Sequence, residues 1–283
     1  MKKLRLKVQL LFTILTNGYL YGFLNGKIYQ GRLKYACVPG LNCYSCPGAV
    51  ASCPIGALQA LLNQRGFEIP FGVLGVFFLF GSLLGRFVCG WLCPFGMVQD
   101  LLHKIPIFRK RKRLPFHSIL KYGKYLVLIL LVGVGSVFLF EGLAKVPAFC
   151  KFRCPSGTLF GALPLLGTNK LLRNSAGGLF FWKLGILFLI LLLSIKVFRP
   201  FCQYLCPLGA IYGWFNRFSL VQIKWEKERC VSCMACQRAC PAGLSTQEIS
   251  HSPECIRCGQ CINACPEKCL HFLSVSSKVK EKG

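Results

Sequence analysis

Cysteine spacing carries the chemistry of this chain. Cys230-x-x-Cys233-x-x-Cys236-x-x-x-Cys240-Pro241 is followed by Cys255-x-x-Cys258-x-x-Cys261-x-x-x-Cys265-Pro266. A cubane iron–sulfur cluster needs four thiolates in tetrahedral array, and a tight C-x-x-C-x-x-C loop supplies three. In the bacterial two-cluster pattern the fourth comes from the other run. Cys230, Cys233, Cys236 and Cys265 are thus expected on one [4Fe–4S] cluster, and Cys255, Cys258, Cys261 and Cys240 on a second. Zinc also binds C-x-x-C pairs, but it does not explain three evenly spaced cysteines and a fourth before proline, twice. Cys269 lies outside both runs and is expected to be a small buried hydrophobe.

Further cysteines fall in a second, longer repeat. Cys53-Pro54-Ile55-Gly56-Ala57-Leu58 parallels Cys154-Pro155-Ser156-Gly157-Thr158-Leu159. Downstream, Arg86-Phe87-Val88-Cys89-Gly90-Trp91-Leu92-Cys93-Pro94 parallels Arg199-Pro200-Phe201-Cys202-Gln203-Tyr204-Leu205-Cys206-Pro207. Cysteines four apart on a helix share a face, so Cys89 with Cys93 and Cys202 with Cys206 could together offer four thiolates to one cluster or metal. The remaining group is Cys37, Cys43, Cys46, Cys53, Cys150 and Cys154. Of these, Cys43, Cys46, Cys53, Cys150 and Cys154 are candidate ligands of a further cluster or metal. Disulfides, such as one between Cys150 and Cys154, are the open alternative where such loops meet an oxidising compartment.

The elements that must position these thiols are apolar. Hydrophobic residues make up 54% of 283 positions and charged residues 16%, a balance that belongs to a membrane protein. A hydrocarbon core of about 30 Å takes roughly 20 helical residues. Spans are expected near residues 6–24, 69–88, 122–143 and 178–198, the first a retained anchor with no small-residue cleavage pattern after it. Lys and Arg crowd the segments before the first span, from Arg86 to Lys124 and from Lys196 onward, while loops 25–67 and 144–177 hold few. By the positive-inside rule both termini and the cluster runs face the cytoplasm, across the inner membrane of the cell. The net charge of +26 therefore flanks spans and does not form a nucleic-acid surface. Arg109 to Arg113 is expected to meet anionic lipid. Arg86 and Arg199, at span ends, are expected to snorkel to headgroups, ahead of helping to hold a negatively charged cluster or a quinone.

Both halves of the membrane region run in the same direction, so they form parallel repeats about an axis along the membrane normal. The expected fold class is an all-α membrane bundle of four transmembrane helices in two parallel repeats, plus a small α+β two-cluster ferredoxin domain. The expected boundaries are 1–222 for the membrane domain, 223–275 for the ferredoxin domain and 276–283 for a basic tail. None of His103, His117, His251 and His271 lies inside an expected span, which argues against a paired-histidine haem. No Walker loop or dinucleotide fingerprint is present. Glu68 and Glu141 are candidate proton relays, though each reads more readily as a solvated helix end.

Four spans, two Arg-x-x-Cys-x-x-x-Cys-Pro motifs and the runs at 230–240 and 255–265 together resemble the NapH-type polyferredoxins and the membrane region of NosR-like proteins. The resemblance implies electron transfer between a quinone pool or cytoplasmic donor and an extracytoplasmic acceptor, with redox partner proteins and, in some members, a quinol dehydrogenase role. It departs in two respects. The large outer flavin-binding domain of NosR-like proteins has no counterpart among these residues, and the loop from Cys37 to Cys53 is richer in cysteine than the plain nitrate-reductase component. Two rival readings are copper reduction, as implied by similar oxidase-assembly proteins, and a redox sensor without turnover.

Overall fold

The computed structural model describes residues 2–63, 71–138, 140–141, 144–145, 147–249 and 251–273. Glu68 and the basic tail lie outside the described residues, as does the side chain of Glu141. Helices dominate. Two are long and apolar enough to cross a membrane by length and composition, His117–Val134 and Gly178–Lys196. Phe71–Leu84 and Gly157–Thr168 are shorter apolar helices. The N-terminal helix Lys2–Thr16 breaks at Asn17-Gly18, and the chain turns helical again at Leu20–Asn25.

In the repeat motifs each cysteine-proline step starts a helix. Proline forces the residue before it into extended backbone and, lacking an N–H, suits the first helical turn. Cys53, Cys93 and Cys206 accordingly stand extended as N-caps of Pro54–Leu62, Pro94–Lys104 and Pro207–Phe215. This changes the expected pairing of Cys89 with Cys93 on one helix face. The helix Phe87–Trp91 ends before Cys93, and Pro200–Tyr204 ends before Cys206, so each pair straddles a break between two helices.

The C-terminal part is a small α+β unit. Strand Gln222–Trp225 pairs antiparallel with Leu270–Leu273, and the short helices Ala235–Ala239 and Gln260–Ala264 lie between them in sequence. Its internal repeat reaches the backbone: Ser232 and Arg257, Met234 and Gly259, Gly243 and Lys268 occupy matching left-handed positions. Such reversals turn successive N–H groups into a concavity that suits an anionic cluster.

Two buried arginines hold the molecule together. Arg199 is fully buried and bonds Asp100 through Nε at 2.7 Å and Nη2 at 2.5 Å, while Arg5 from the first helix adds a contact at 2.8 Å. Arg86 is equally buried and bonds Glu254 at 2.9 Å, with Lys124 on the other carboxylate oxygen. The expectation that Arg86 and Arg199 snorkel is therefore corrected: both are buried and pair with acids and carbonyls inside the fold rather than with headgroups. Aligned by the repeat, the position matching Asp100 is Gly213. A side chain there would meet the Pro253 carbonyl oxygen at 3.0 Å, and Glu254 from the C-terminal unit supplies the carboxylate instead.

The basic run also behaves differently from a pure lipid-facing stretch. Lys112 Nζ bonds the carbonyls of Gln237 and Arg238 at 2.9 and 2.6 Å, and Arg113 bonds those of Ala242 and Gly243 at 3.1 and 2.8 Å. It clamps the α+β unit by donating to carbonyls in the helix Ala235–Ala239 and just beyond it.

Burial opposes the charge on Asp100 and Glu254, but Arg199 and Arg5 on one side and Arg86 and Lys124 on the other outweigh it, holding both carboxyls below their ordinary values. Their stabilisation is therefore complete above about pH 4.5 and is lost as pH falls through the folded values. Glu254→Gln should cost about 3–5 kcal/mol, because two buried cations lose their counter-charge. Chemical denaturation followed by tryptophan fluorescence would measure this. A cost under about 1 kcal/mol would put the pair on a par with exposed ones.

Candidate metal centres

The thiols of the C-terminal unit surround two separate cavities. One, of about 290 Å³, is lined by Cys230, Cys233, Cys236, Cys265 and Cys269. The other is tighter and lined by Cys240, Cys255, Cys258 and Cys261 among Ile223, Ile249 and Ile256. Cys269 is buried in the apolar core of the unit, as expected, with its sulfur 3.3 Å from that of Cys265.

A third group gathers at the repeat motifs. Cys89, Cys93, Cys202 and Cys206 are all buried, and Cys206 lies within electrostatic reach of the other three. The surroundings follow a local two-fold pattern. Arg86 Nη2 donates to the Cys202 carbonyl at 2.7 Å, and Arg199 Nη1 donates to the Cys89 carbonyl. Gly96 and Gly209 leave room for these guanidinium groups; a Cβ would approach Arg199 Nη1 at 3.1 Å and Arg86 Nη2 at 3.0 Å, respectively.

The fourth group comes from segments that the sequence keeps far apart. Cys43, Cys53, Cys150 and Cys154 line a cavity of about 330 Å³ with Lys183. Cys37 and Cys46 stand outside this lining; Cys37 bridges to Ser52, and Cys46 is buried beside Lys34. Burial pushes the Cys53 and Cys154 thiols up to about 12, so unliganded they are neutral at pH 7, and loading iron would release their protons. The same helix start serves four positions in these two groups. The Gly96 and Gly157 N–H groups donate to the Cys93 and Cys154 sulfurs at 3.4 Å, and Cys53 and Cys206 occupy the same capping position. Such donors favour the thiolate and the more reduced state of an attached cluster.

Contacts link the groups in series. The Trp91 indole donates to the Arg257 carbonyl at 3.0 Å, and the Asn216 amide donates to the Cys255 carbonyl at 2.8 Å. On the other side the Leu41 N–H reaches the Cys93 sulfur, while the Leu41 carbonyl accepts from Ser156 at 3.4 Å. Leu41 precedes Cys43 by two residues, at most about 7 Å of chain. Among the described residues no three His, Cys, Asp or Glu are gathered as a single metal ion would require. Thiols set around a cavity suit a multi-iron cluster, in which each iron takes one protein sulfur.

Sequence comparison points the same way. A family model described as "4Fe-4S binding domain" matches residues 52–71, 66–115 and 179–228, thus covering both repeat motifs, and one described as "4Fe-4S dicluster domain" matches 222–266. The chain is 34% identical over 212 residues to the uncharacterized protein MJ0750 of Methanocaldococcus jannaschii, covering 72% of this chain and 78% of that one. It is 31% identical over 169 residues to the ferredoxin-type protein NapH of Haemophilus influenzae, covering 58% and 50%. With the regulatory protein NosR of Stutzerimonas stutzeri it shares 32% over 181 residues, covering 59% of this chain and 22% of NosR. No solved structure matches.

Gly90→Ala should disturb the contact between the third group and the α+β unit, because the new Cβ runs into the Ile256 carbonyl oxygen. A cost of about 1–3 kcal/mol and faster proteolysis at residues 253–257 are expected. Gly75→Ala, with open space around it, is the control and should change neither. With both repeat motifs inside a matched 4Fe-4S binding model and a relative aligned over most of its length, this iron–sulfur protein belongs to the NapH/NosR-like polyferredoxin family.

Proposed function

We propose that the chain is a membrane electron relay holding four [4Fe–4S] clusters. The ligand sets are Cys230, Cys233, Cys236 and Cys265; Cys240, Cys255, Cys258 and Cys261; Cys89, Cys93, Cys202 and Cys206; and Cys43, Cys53, Cys150 and Cys154. The observation that carries this reading is that every cysteine except Cys37 and Cys46 falls into one of four groups of thiols arranged in series along packed contacts, Cys269 being a fifth thiol beside the first set. Charge supports it. A buried thiolate-bound cluster is anionic, and Arg86 and Arg199 flank the third set while Lys34 and Lys183 stand near the fourth.

The membrane assignment rests on the outer faces of the helices. Only 17% of each candidate span is buried, unlike the sheltered core helix of a soluble protein, and Leu126, Ile129, Phe188 and Leu189 lie exposed. Such a surface suits lipid. We assign residues 1–222 to a four-span domain of two parallel repeats and 223–275 to a cytoplasmic ferredoxin domain, with both termini cytoplasmic. Electrons pass between a cytoplasmic or quinone donor and a membrane or extracytoplasmic acceptor. An apolar cavity of about 480 Å³ between Leu114, Leu120, Leu193, Phe201 and Tyr204 supports a quinone as exchange partner, with the Tyr204 hydroxyl 3.0 Å from His117 Nδ1 at its side.

Iron and acid-labile sulfide per chain, measured on anaerobically purified full-length protein, test the cluster number. About sixteen of each are expected, falling by about four in a Cys89→Ser, Cys202→Ser double variant. A value of about eight, unchanged in that variant, would confine clusters to the ferredoxin unit and favour copper handling or sensing. Reoxidation of the reduced protein by cupric ion would then separate those two.

A further inference from the structure

The two repeats differ at one position beside the third thiol group. Aligning Arg86 with Arg199, Cys89 with Cys202, Cys93 with Cys206 and Gly96 with Gly209 pairs Gln99 with Tyr212. Gln99 has a defined task. Its Nε2 donates to the Cys202 sulfur at 3.1 Å, and its Oε1 accepts from the Phe201 N–H at 3.3 Å.

Tyr212 is fully buried, its ring edge-on to Phe77 with centroids 6.2 Å apart. Its hydroxyl is among the few buried side-chain polar atoms of the described residues without a hydrogen-bond partner. Leaving a buried hydroxyl unpaired costs about 1–3 kcal/mol, so such an orphan marks an acceptor that the protein alone does not supply. Cys89 is foremost among the thiols acting electrostatically on the phenol, followed by Cys53, Cys37 and Cys93. Cys89 is also the repeat counterpart of Cys202. The orphan hydroxyl therefore stands toward Cys89 as the Gln99 amide stands toward Cys202.

We propose that the Tyr212 hydroxyl donates a hydrogen bond to the Cys89 sulfur when that thiolate ligates the third cluster, matching the Gln99 bond to Cys202 across the local two-fold. This rests on the third cluster assigned above. Two donors on opposite ligands stabilise the extra negative charge of the reduced cluster and raise its potential. Cys53 of the fourth group also acts electrostatically on the phenol, so Tyr212 tunes the step that joins the two groups.

The test is an anaerobic redox titration followed by EPR on full-length wild type, Tyr212→Phe and Gln99→Leu, with iron measured on each sample. Tyr212→Phe removes only the oxygen. It should keep its full iron and move one couple negative by about tenfold in its equilibrium, which is about 59 mV for one electron. Gln99→Leu should move the same couple in the same direction, and Tyr212→Gln should recover part of the loss. Full iron with every couple unmoved in Tyr212→Phe would overturn the proposal alone, as would a shift in a couple different from the one Gln99→Leu moves. A wild type lacking iron at the third set would overturn the proposal together with the reading beneath it.

Discussion

Everything near the centre of this molecule depends on two guanidinium groups that water does not reach. Arg86 and Arg199 each leave their own repeat and bond the carbonyl of the first cysteine in the other. A buried charge survives only with a partner, and the repeats find theirs differently. Asp100, in the first repeat, serves Arg199 of the second. Its counterpart is Gly213, and Arg86 is completed by Glu254, next to Cys255. The C-terminal unit thus docks through a carboxylate that the second repeat lacks, and the same contact brings the Cys255 loop against Trp91 and Gly90.

That arrangement explains why some features could be read from the chain and others could not. Iron–sulfur chemistry and family membership were legible because a cubane imposes strict local spacing, and the C-x-x-C-x-x-C-x-x-x-C-P run records it directly. The internal repeat was legible because both copies carry the same Arg-x-x-Cys-x-x-x-Cys-Pro spacing. The role of Arg86 and Arg199 was not, since a cation at the end of an apolar run suggests a headgroup, and only the fold brings Asp100 and Glu254 to it. The lining shared by Cys43, Cys53, Cys150 and Cys154 depends on contacts between segments about a hundred residues apart, which no local pattern encodes. The break between Cys89 and Cys93 was readable from Pro94, whose effect on the preceding residue outweighs the helical spacing of the pair.

The glycine pattern fits the same physics. Gly96 and Gly209 admit the opposing arginines, while Gly96 and Gly157 each donate an N–H to the capping sulfur, at the third and fourth groups respectively. Four helix starts therefore share one sequence device, Cys-Pro-x-Gly with the cysteine at the head of the first turn. Leu41 joins the third and fourth groups by touching both, so the loop from Cys37 to Cys53 is part of the packed interior and not an appendage.

The central claim is that these groups form one continuous path for electrons across a bilayer. Full-length protein in sealed, quinone-free liposomes, with ferricyanide trapped inside and dithionite added outside, tests it most directly. The account predicts reduction of the trapped ferricyanide by wild type, and none above the protein-free leak in a Cys53→Ser, Cys154→Ser variant. Reduction that occurs only after quinone is added, or that persists undiminished in the variant, would contradict it.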